Sequence, residues 1–448
     1  MLHTASWTGP AILITFVIAY LFVFAEEKLH LRKSKPVMAA AGLIWIFVAI
    51  DFHAENRVHE VGEQIRHVLL EYSELFLFLL AAMSFVNTLT ERNLFESLRT
   101  RLVAAQFSFR KIFWITGACA FVLSPIADNL TTSLVMGTVV LSCFASRKEL
   151  LPVGLVNIVV AANAGGAFSP FGDITTLMIW QKGMVEFGQF FALFLPSLAN
   201  WLVPALIMSF TLPNKKSTAR AAIAPVYKGG YVVTGLFLGT IATTVTLDHL
   251  LHLPPFLGMM LGFGVLNIYG YFLHGIEVRD CCEAFAHDPP AGKKRRVKRK
   301  AFDIFHIIEK VEWDTLLFFY GVMLCVGGLN AIGYLHEVSV LLYEDAGPTT
   351  ANITIGVLSA IVDNIPLTFA VLTMHPTMDL GQWLLITLTA GVGGSLLSIG
   401  SAAGVALMGI ARGRYTFLSH LKWVWAIALG YAASIAVHMA VNHGLFTG

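Results

Sequence analysis

The chain alternates between long apolar runs and short charged connectors. The runs cover about 9–25, 36–52, 74–90, 112–145, 152–180, 189–211, 229–251, 256–274, 314–334, 351–374, 382–411 and 421–441. Several approach the roughly 20 apolar residues that a membrane-crossing helix needs. Two are too long for one crossing. As a single helix, 112–145 would extend about 51 Å. Pro125 and the polar pair Asp128–Asn129 lie near its middle. It reads instead as two short antiparallel arms meeting at that pair, a re-entrant hairpin. The run 152–180 would extend about 44 Å. Its middle, NAGGAFSPFGD (163–173), holds three glycines and a proline, which predicts a helix break.

The charged connectors orient the spans. Lys28, Arg32, Lys33 and Lys35 follow the first run, so that connector is expected to be cytoplasmic. The stretch DFHAENRVHEVGEQIRH (51–67) is acidic and histidine-rich, and reads as an outer loop with solvated His53, His59 and His67; pH sensing is their alternative role. Arg92, Arg99, Arg101, Arg110 and Lys111 lie inside again. Continuing in this way, with 351–374 as a hairpin entering from outside, puts every strongly basic connector on one side. Both termini then face outward. The loop 275–311, with KKRRVKRK (293–300), is cytoplasmic.

The motifs occur twice. SPIADNLTTSLVMG (124–137) is echoed by SAIVDNIPLTFAVL (359–372), with Asp363 lying 235 residues after Asp128. AGGAFSPFGDITTLM (164–178) is echoed by VGGSLLSIGSAAGVALM (392–408), and EYSELFLFLL (71–80) by EWDTLLFFYG (312–321). The two copies have opposite orientation, which implies an inverted-topology repeat of halves 1–220 and 221–448. The expected fold is an all-α polytopic membrane protein with two re-entrant hairpins, 112–145 and 351–374, and two broken transmembrane helices, 152–180 and 382–411.

Composition agrees. Of 448 residues, 56% are hydrophobic and only 13% charged, too few charges to cover a soluble chain of this length. The net charge of +2 is uninformative. In this context the basic run is a positive-inside loop rather than a nucleic-acid patch. Five cysteines suggest no disulfide framework, and Cys281, Cys282 and His287 fit no common zinc spacing. The N-terminal stretch lacks a basic leader region and reads as a retained first span.

Non-helical backbone at membrane depth must be buried in protein or line a wet cavity, so the hairpin tips and helix breaks mark the expected substrate site. They bring Asp128, Asn129, Thr131, Thr132, Asn163, Ser169, Asp173, Thr175 and Thr176 from the first copy. The second contributes Asp363, Asn364, Thr368, Ser395, Ser398 and Ser401. This set carries three carboxylates, many neutral oxygens and no Lys or Arg, which suits a hard cation. Asp128, Asp173 and Asp363 are the expected Na⁺ ligands. A carboxylate that holds either H⁺ or Na⁺ suffices for antiport if its exposure alternates. Asp173 is the expected exchanging group, because its repeat counterpart is Ser401 and the fold does not demand a charge there. Asp128 and Asp363 also stand where helix N-caps belong. Glu74 and Asp314 align approximately between the copies at span starts, where carboxylates suit the helix dipole. Gating or proton uptake is their alternative role.

The motifs SPIADNLTTSLVMG, NAGGAFSPFGDITTLMIW, VDNIPLT and GVGGSLLSIGSAAGVALMG resemble those of the NhaD-type sodium/proton antiporters of the ion transporter superfamily, over nearly the whole chain. The resemblance implies extrusion of Na⁺ or Li⁺ driven by H⁺, no cofactor, a bacterial-type inner membrane, homodimers and an elevator-like movement. It maps the family's site onto Asp128, Asn129, Asn163, Asp173, Thr175, Thr176, Asp363, Asn364, Ser398 and Ser401. A permease of the same superfamily for arsenite or a di- or tricarboxylate is the rival. An intramembrane enzyme is disfavoured, since neither HExxH nor GxSxG occurs.

Overall fold

The computed structural model describes residues 6–29, 31–287 and 302–446, without the side chains of 27–28 and 280–287. The basic run 293–300 therefore lies outside the described residues, as do the side chains of Cys281, Cys282 and His287.

The described elements are helices. α1 (Thr8–Phe24) and the single-turn α2 (Glu26–Leu29) precede α3 (Ser34–Ala54), α4 (Val58–Glu91) and α5 (Leu94–Ala104). The run 112–145 folds as α6 (Phe109–Ala127) and α7 (Asn129–Cys143), and 152–180 as α8 (Leu151–Gly166) and α9 (Ile174–Gln181). Then come α10 (Phe194–Ser209), α11 (Gly230–Leu251), α12 (Pro255–His287), α13 (Ile304–Glu309), α14 (Trp313–Ile332) and α15 (Tyr334–Ser339). The run 351–374 becomes α16 (Pro348–Leu358) and α17 (Asn364–Met374), and 382–411 becomes α18 (Leu380–Gly393) and α19 (Ala402–Ala411). α20 (Phe417–Leu421) and α21 (Val424–Val441) close the chain. Among the described residues, nine helices are long and apolar enough to cross a bilayer. A helix satisfies its own backbone hydrogen bonds, which lipid cannot do.

Three expectations need correction. The expected loop 275–311 is partly helical, since α12 runs on to His287 and α13 spans Ile304–Glu309. The stretch 51–67 is largely helical rather than a loop, since α4 begins at Val58. Arg57 Nη2 pairs with Glu60 Oε2 at 2.6 Å in that first turn, and an acidic residue there complements the helix dipole. Glu74 consequently lies well inside α4 and starts no helix. Asp314 does sit in the first turn of α14.

The chain divides into two compact units. One comprises Met1–Tyr72, Leu98–Ile223 and Asp314–Gly448; the other comprises Ser73–Ser97 and Ala224–Trp313. In the larger unit α6 packs on α8 and α16 on α18. Glycines set both approaches. A Cβ on Gly165 would lie 2.3 Å from the Phe121 carbonyl oxygen, and one on Gly393 would lie 1.9 Å from that of Gly356. Each break is equally tight. A Cβ on Gly166 would meet the Gly172 carbonyl oxygen at 2.8 Å, and one on Gly394 that of Gly400 at 2.6 Å. Aromatic packing surrounds the first break, with Phe121 stacked on Trp201 at 5.4 Å between ring centroids.

In the smaller unit α11 and α12 approach through small residues. A Cβ on Gly262 or Gly258 would fall 2.1 or 2.6 Å from side-chain atoms of Thr240 or Thr244. Phe85 stacks on Phe237 at 4.9 Å. The fully buried Arg92 donates to Glu277 Oε1 at 2.7 Å and lies 4.9 Å over the Phe302 ring. Glu277 Oε2 accepts the Phe302 amide at 2.9 Å, which ties the end of α12 to the chain that enters α13.

Candidate cation site

The polar centre of the larger unit is Asp173. It N-caps α9, with one carboxylate oxygen accepting from the Thr175 amide at 3.1 Å. Only 7% of the residue is exposed. Two asparagines, each the first residue of a helix, reach it from opposite ends of the sequence. Asn129 Nδ2 of α7 and Asn364 Nδ2 of α17 both donate to Asp173 Oδ2 at 3.2 Å. Asn129 also donates to Asn163 Oδ1 at 3.2 Å, and Asn163 Nδ2 donates to the Ser395 hydroxyl at 2.9 Å. One connected network thus joins α7, the end of α8, the start of α9, the start of α17 and the segment between α18 and α19.

Hydroxyls surround it. Thr176 turns its hydroxyl back to the carbonyls of Ser169 and Asp173 at 2.8 and 2.6 Å. Ser169 in turn donates to the Pro125 carbonyl at 3.0 Å. The side-chain oxygens of Thr132 and Thr368 are buried and have no hydrogen-bond partner among the described residues, and the buried Thr175 hydroxyl lies beside Asp173. A buried hydroxyl without a partner is costly, and its lone pairs remain available to a cation.

The other carboxylates point elsewhere. Asp128 N-caps α7 and accepts from the Thr131 amide at 2.7 Å and the Thr131 hydroxyl at 2.9 Å. Its backbone, at φ 58° and ψ 161°, lies in a region that favours glycine. Asp363 stands at the N-cap of α17 but makes no side-chain cap bond. Its Oδ2 instead lies 3.2 Å from Lys33 Nζ. The three carboxylates thus take different hydrogen-bond and ion-pair partners. Among the described residues no three His, Cys, Asp or Glu side chains form a metal-binding group. Ser398 donates to Met408 Sδ at 3.3 Å, and Ser401 caps α19 through the Gly404 amide at 3.2 Å. Asp314 accepts from the Ser34 hydroxyl at 2.5 Å, and Glu74 is half-buried on α4.

Two participants were not anticipated. Lys33 had the look of a loop cation. The signal lay in the second tip. The residue matching Thr131 is Pro366, which has neither an amide hydrogen nor a hydroxyl, so Asp363 must find its partner elsewhere. The other is His420. It is fully buried, with Nδ1 2.6 Å from the Tyr415 hydroxyl and Nε2 2.9 Å from the Ser395 carbonyl oxygen. A carbonyl only accepts, so Nε2 carries the proton and Nδ1 accepts from Tyr415. Nothing in the sequence pairs His420 with Ser395. Away from this centre, a cavity of about 460 Å³ is lined by Glu63, His67, Glu71, Lys182 and His375 among others. His67 Nε2 lies 2.9 Å from Glu71 Oε1, which also contacts Lys182.

Helices suited to crossing a bilayer, broken around a buried cluster of carboxylate, amide and hydroxyl groups, define a polytopic membrane transporter. A family profile described as "Citrate transporter" matches residues 37–391. The chain is 52% identical to the Na(+)/H(+) antiporter NhaD of Alkalimonas amylolytica, over 99% of this chain and 92% of that protein. It is 51% identical to the NhaD of Vibrio cholerae serotype O1, over 99% and 94% respectively. With Sodium/proton antiporter 1 of Arabidopsis thaliana it shares 33% identity, over 98% of this chain and 74% of the plant protein. The chain belongs to the NhaD-type sodium/proton antiporter family of the ion transporter superfamily, and is a transporter rather than an enzyme.

Proposed function

We propose that this protein exchanges Na⁺, and also Li⁺, for H⁺ across a bacterial-type inner membrane. The observation that carries the reading is the convergence of Asn129 and Asn364 on the buried carboxylate of Asp173. Asp173 holds either a proton or the cation, and the cation completes its shell from neutral oxygens. Asn163 Oδ1 and the buried hydroxyls of Thr132, Thr175 and Thr368 are the suppliers suited by chemistry. Asp128 keeps the surroundings negative, and Asp363 is a second carboxylate for the cation, held in a pair with Lys33. Ser398 and Ser401 hold the second break, and Glu74 and Asp314 serve gating or proton uptake.

The matched glycine contacts at Gly165 and Gly393 favour reading 1–220 and 221–448 as inverted repeats with re-entrant hairpins. Alternating access then comes from an elevator-type movement of the hairpin-bearing helices, in a homodimer, with both termini outside and 275–311 cytoplasmic. The family description favours one second reading, a citrate carrier. Against it, the Lys33 ammonium beside the site is already paired with Asp363.

Everted vesicles containing the protein decide the matter. Adding Na⁺ or Li⁺ between about pH 7 and 9 should collapse an imposed pH gradient. No response to either ion, together with citrate uptake, would sink the antiport reading.

A further inference from the structure

The two hairpin tips treat their aspartates differently, and the difference is written in the residues that follow. After Asp128 the chain reads NLT, and Thr131 supplies both an amide and a hydroxyl to the carboxylate. After Asp363 it reads NIP, and Pro366 supplies neither. The first carboxylate accepts two hydrogen bonds from its own helix. The second takes a cation from outside its helix.

That cation is Lys33, the residue before the first turn of α3. Its ammonium lies 3.2 Å from Asp363 Oδ2 and 4.3 Å from the centroid of the Phe318 ring. Phe318 is fully buried, so the ammonium sits against a wall that also favours positive charge. About a quarter of each partner's side chain is exposed, 22% for Lys33 and 24% for Asp363, so the pair can open without unfolding its surroundings. Ser34, next in sequence, holds Asp314, which fixes the start of α3 beside α14. On the other side Asn364, next to Asp363, reaches Asp173. A fixed positive charge therefore stands one residue from the group that contacts the proposed exchanging carboxylate.

We propose that Lys33 is an affinity-determining residue of the cation site: its ammonium is a tethered cation that neutralises Asp363 and competes with the transported monovalent cation for it. This deepens the antiport reading and rests on it. Without the ammonium, the transported ion meets a more negative site and binds more tightly. With it, binding must displace or weaken the Lys33–Asp363 pair, which keeps affinity low enough for release.

The test uses the purified full-length chain in detergent at fixed pH. Na⁺ is the only probe, choline replaces it as control, and half-saturation is read from the Na⁺-dependent rise in melting temperature. Lys33→Gln should lower the half-saturating Na⁺ concentration by about two- to fivefold, the range of a partly exposed ion pair. Lys33→Arg, which keeps the charge, should stay near wild type. In an Asp363→Asn background, Lys33→Gln should bring no further change. If Lys33→Gln does not yield folded protein, Lys33→Met, which keeps the stem against Phe318, carries the same expectation. Unchanged or weaker Na⁺ binding in the neutral variant would overturn the proposal, as would an equal effect in the Asp363→Asn background. A wild-type protein that shows no Na⁺ response at all refutes the antiport reading itself, a distinguishable failure.

Discussion

The proposed exchange rests on one side chain, Asp173, whose hydrogen-bond partners are neutral donors. Asp173→Asn keeps a side chain able to cap α9, so the variant should reach the membrane in normal amount. It can no longer exchange a proton for a cation, and Na⁺-driven collapse of a pH gradient should vanish. Full exchange in that variant would refute the assignment. Asp128 offers a different test. Its φ of 58° is a conformation that glycine adopts freely, and such strain costs on the order of 1–3 kcal/mol. Asp128→Gly should therefore melt nearer to wild type than Asp128→Ala, although both lose the cap to Thr131. The polar residue types of the site were readable from their placement in apolar runs. Their pairings were not: Pro366 in place of Thr131 deprives Asp363 of the cap that Asp128 has, but no local pattern names Lys33 as its partner.

Glycines govern how closely the elements meet. The breaks in 152–180 and 382–411 and the tips at 128–129 and 363–364 were legible, since Gly, Pro and charged residues interrupt apolar runs there. Why those glycines come in pairs was not legible. The first of each pair admits a neighbouring helix, at Phe121 or Gly356, and the second admits the backbone of its own break. Gly393→Ala should consequently force α16 and α18 apart, at about 1–3 kcal/mol or more, and lower the yield of monodisperse protein. Gly409→Ala, where a Cβ meets nothing within 4 Å, should be tolerated. Equal behaviour of the two variants in size-exclusion profiles would contradict this account. The helical character of 58–67 escaped the hydropathy pattern because polar side chains mark the end of a lipid-facing run, not the end of a helix.

For the molecule as a whole, orientation and the smaller unit yield the remaining tests. In a cysteine-free background, His252→Cys should react with an impermeant thiol reagent added outside intact cells, and Lys215→Cys only after permeabilisation. The reverse pattern would invert the proposed topology. Within the smaller unit, Arg92 is buried against Glu277 and Phe302. Removing one partner of a buried pair strands the other, at about 3–5 kcal/mol. Glu277→Ala should melt well below wild type in detergent, and an unaltered melting temperature would show the pair to be dispensable.

Sequence alone determined where the apolar runs lie and where they are interrupted. A bilayer accepts only long apolar segments with satisfied backbones, and interruptions of such segments stand out against that requirement. It also determined which residue types stand at the breaks. Tertiary structure decided which of three aspartates receives both tip asparagines and which takes a lysine 330 residues away. Those pairings depend on distances of about 3 Å between segments far apart in sequence, and no local pattern names the distant partner.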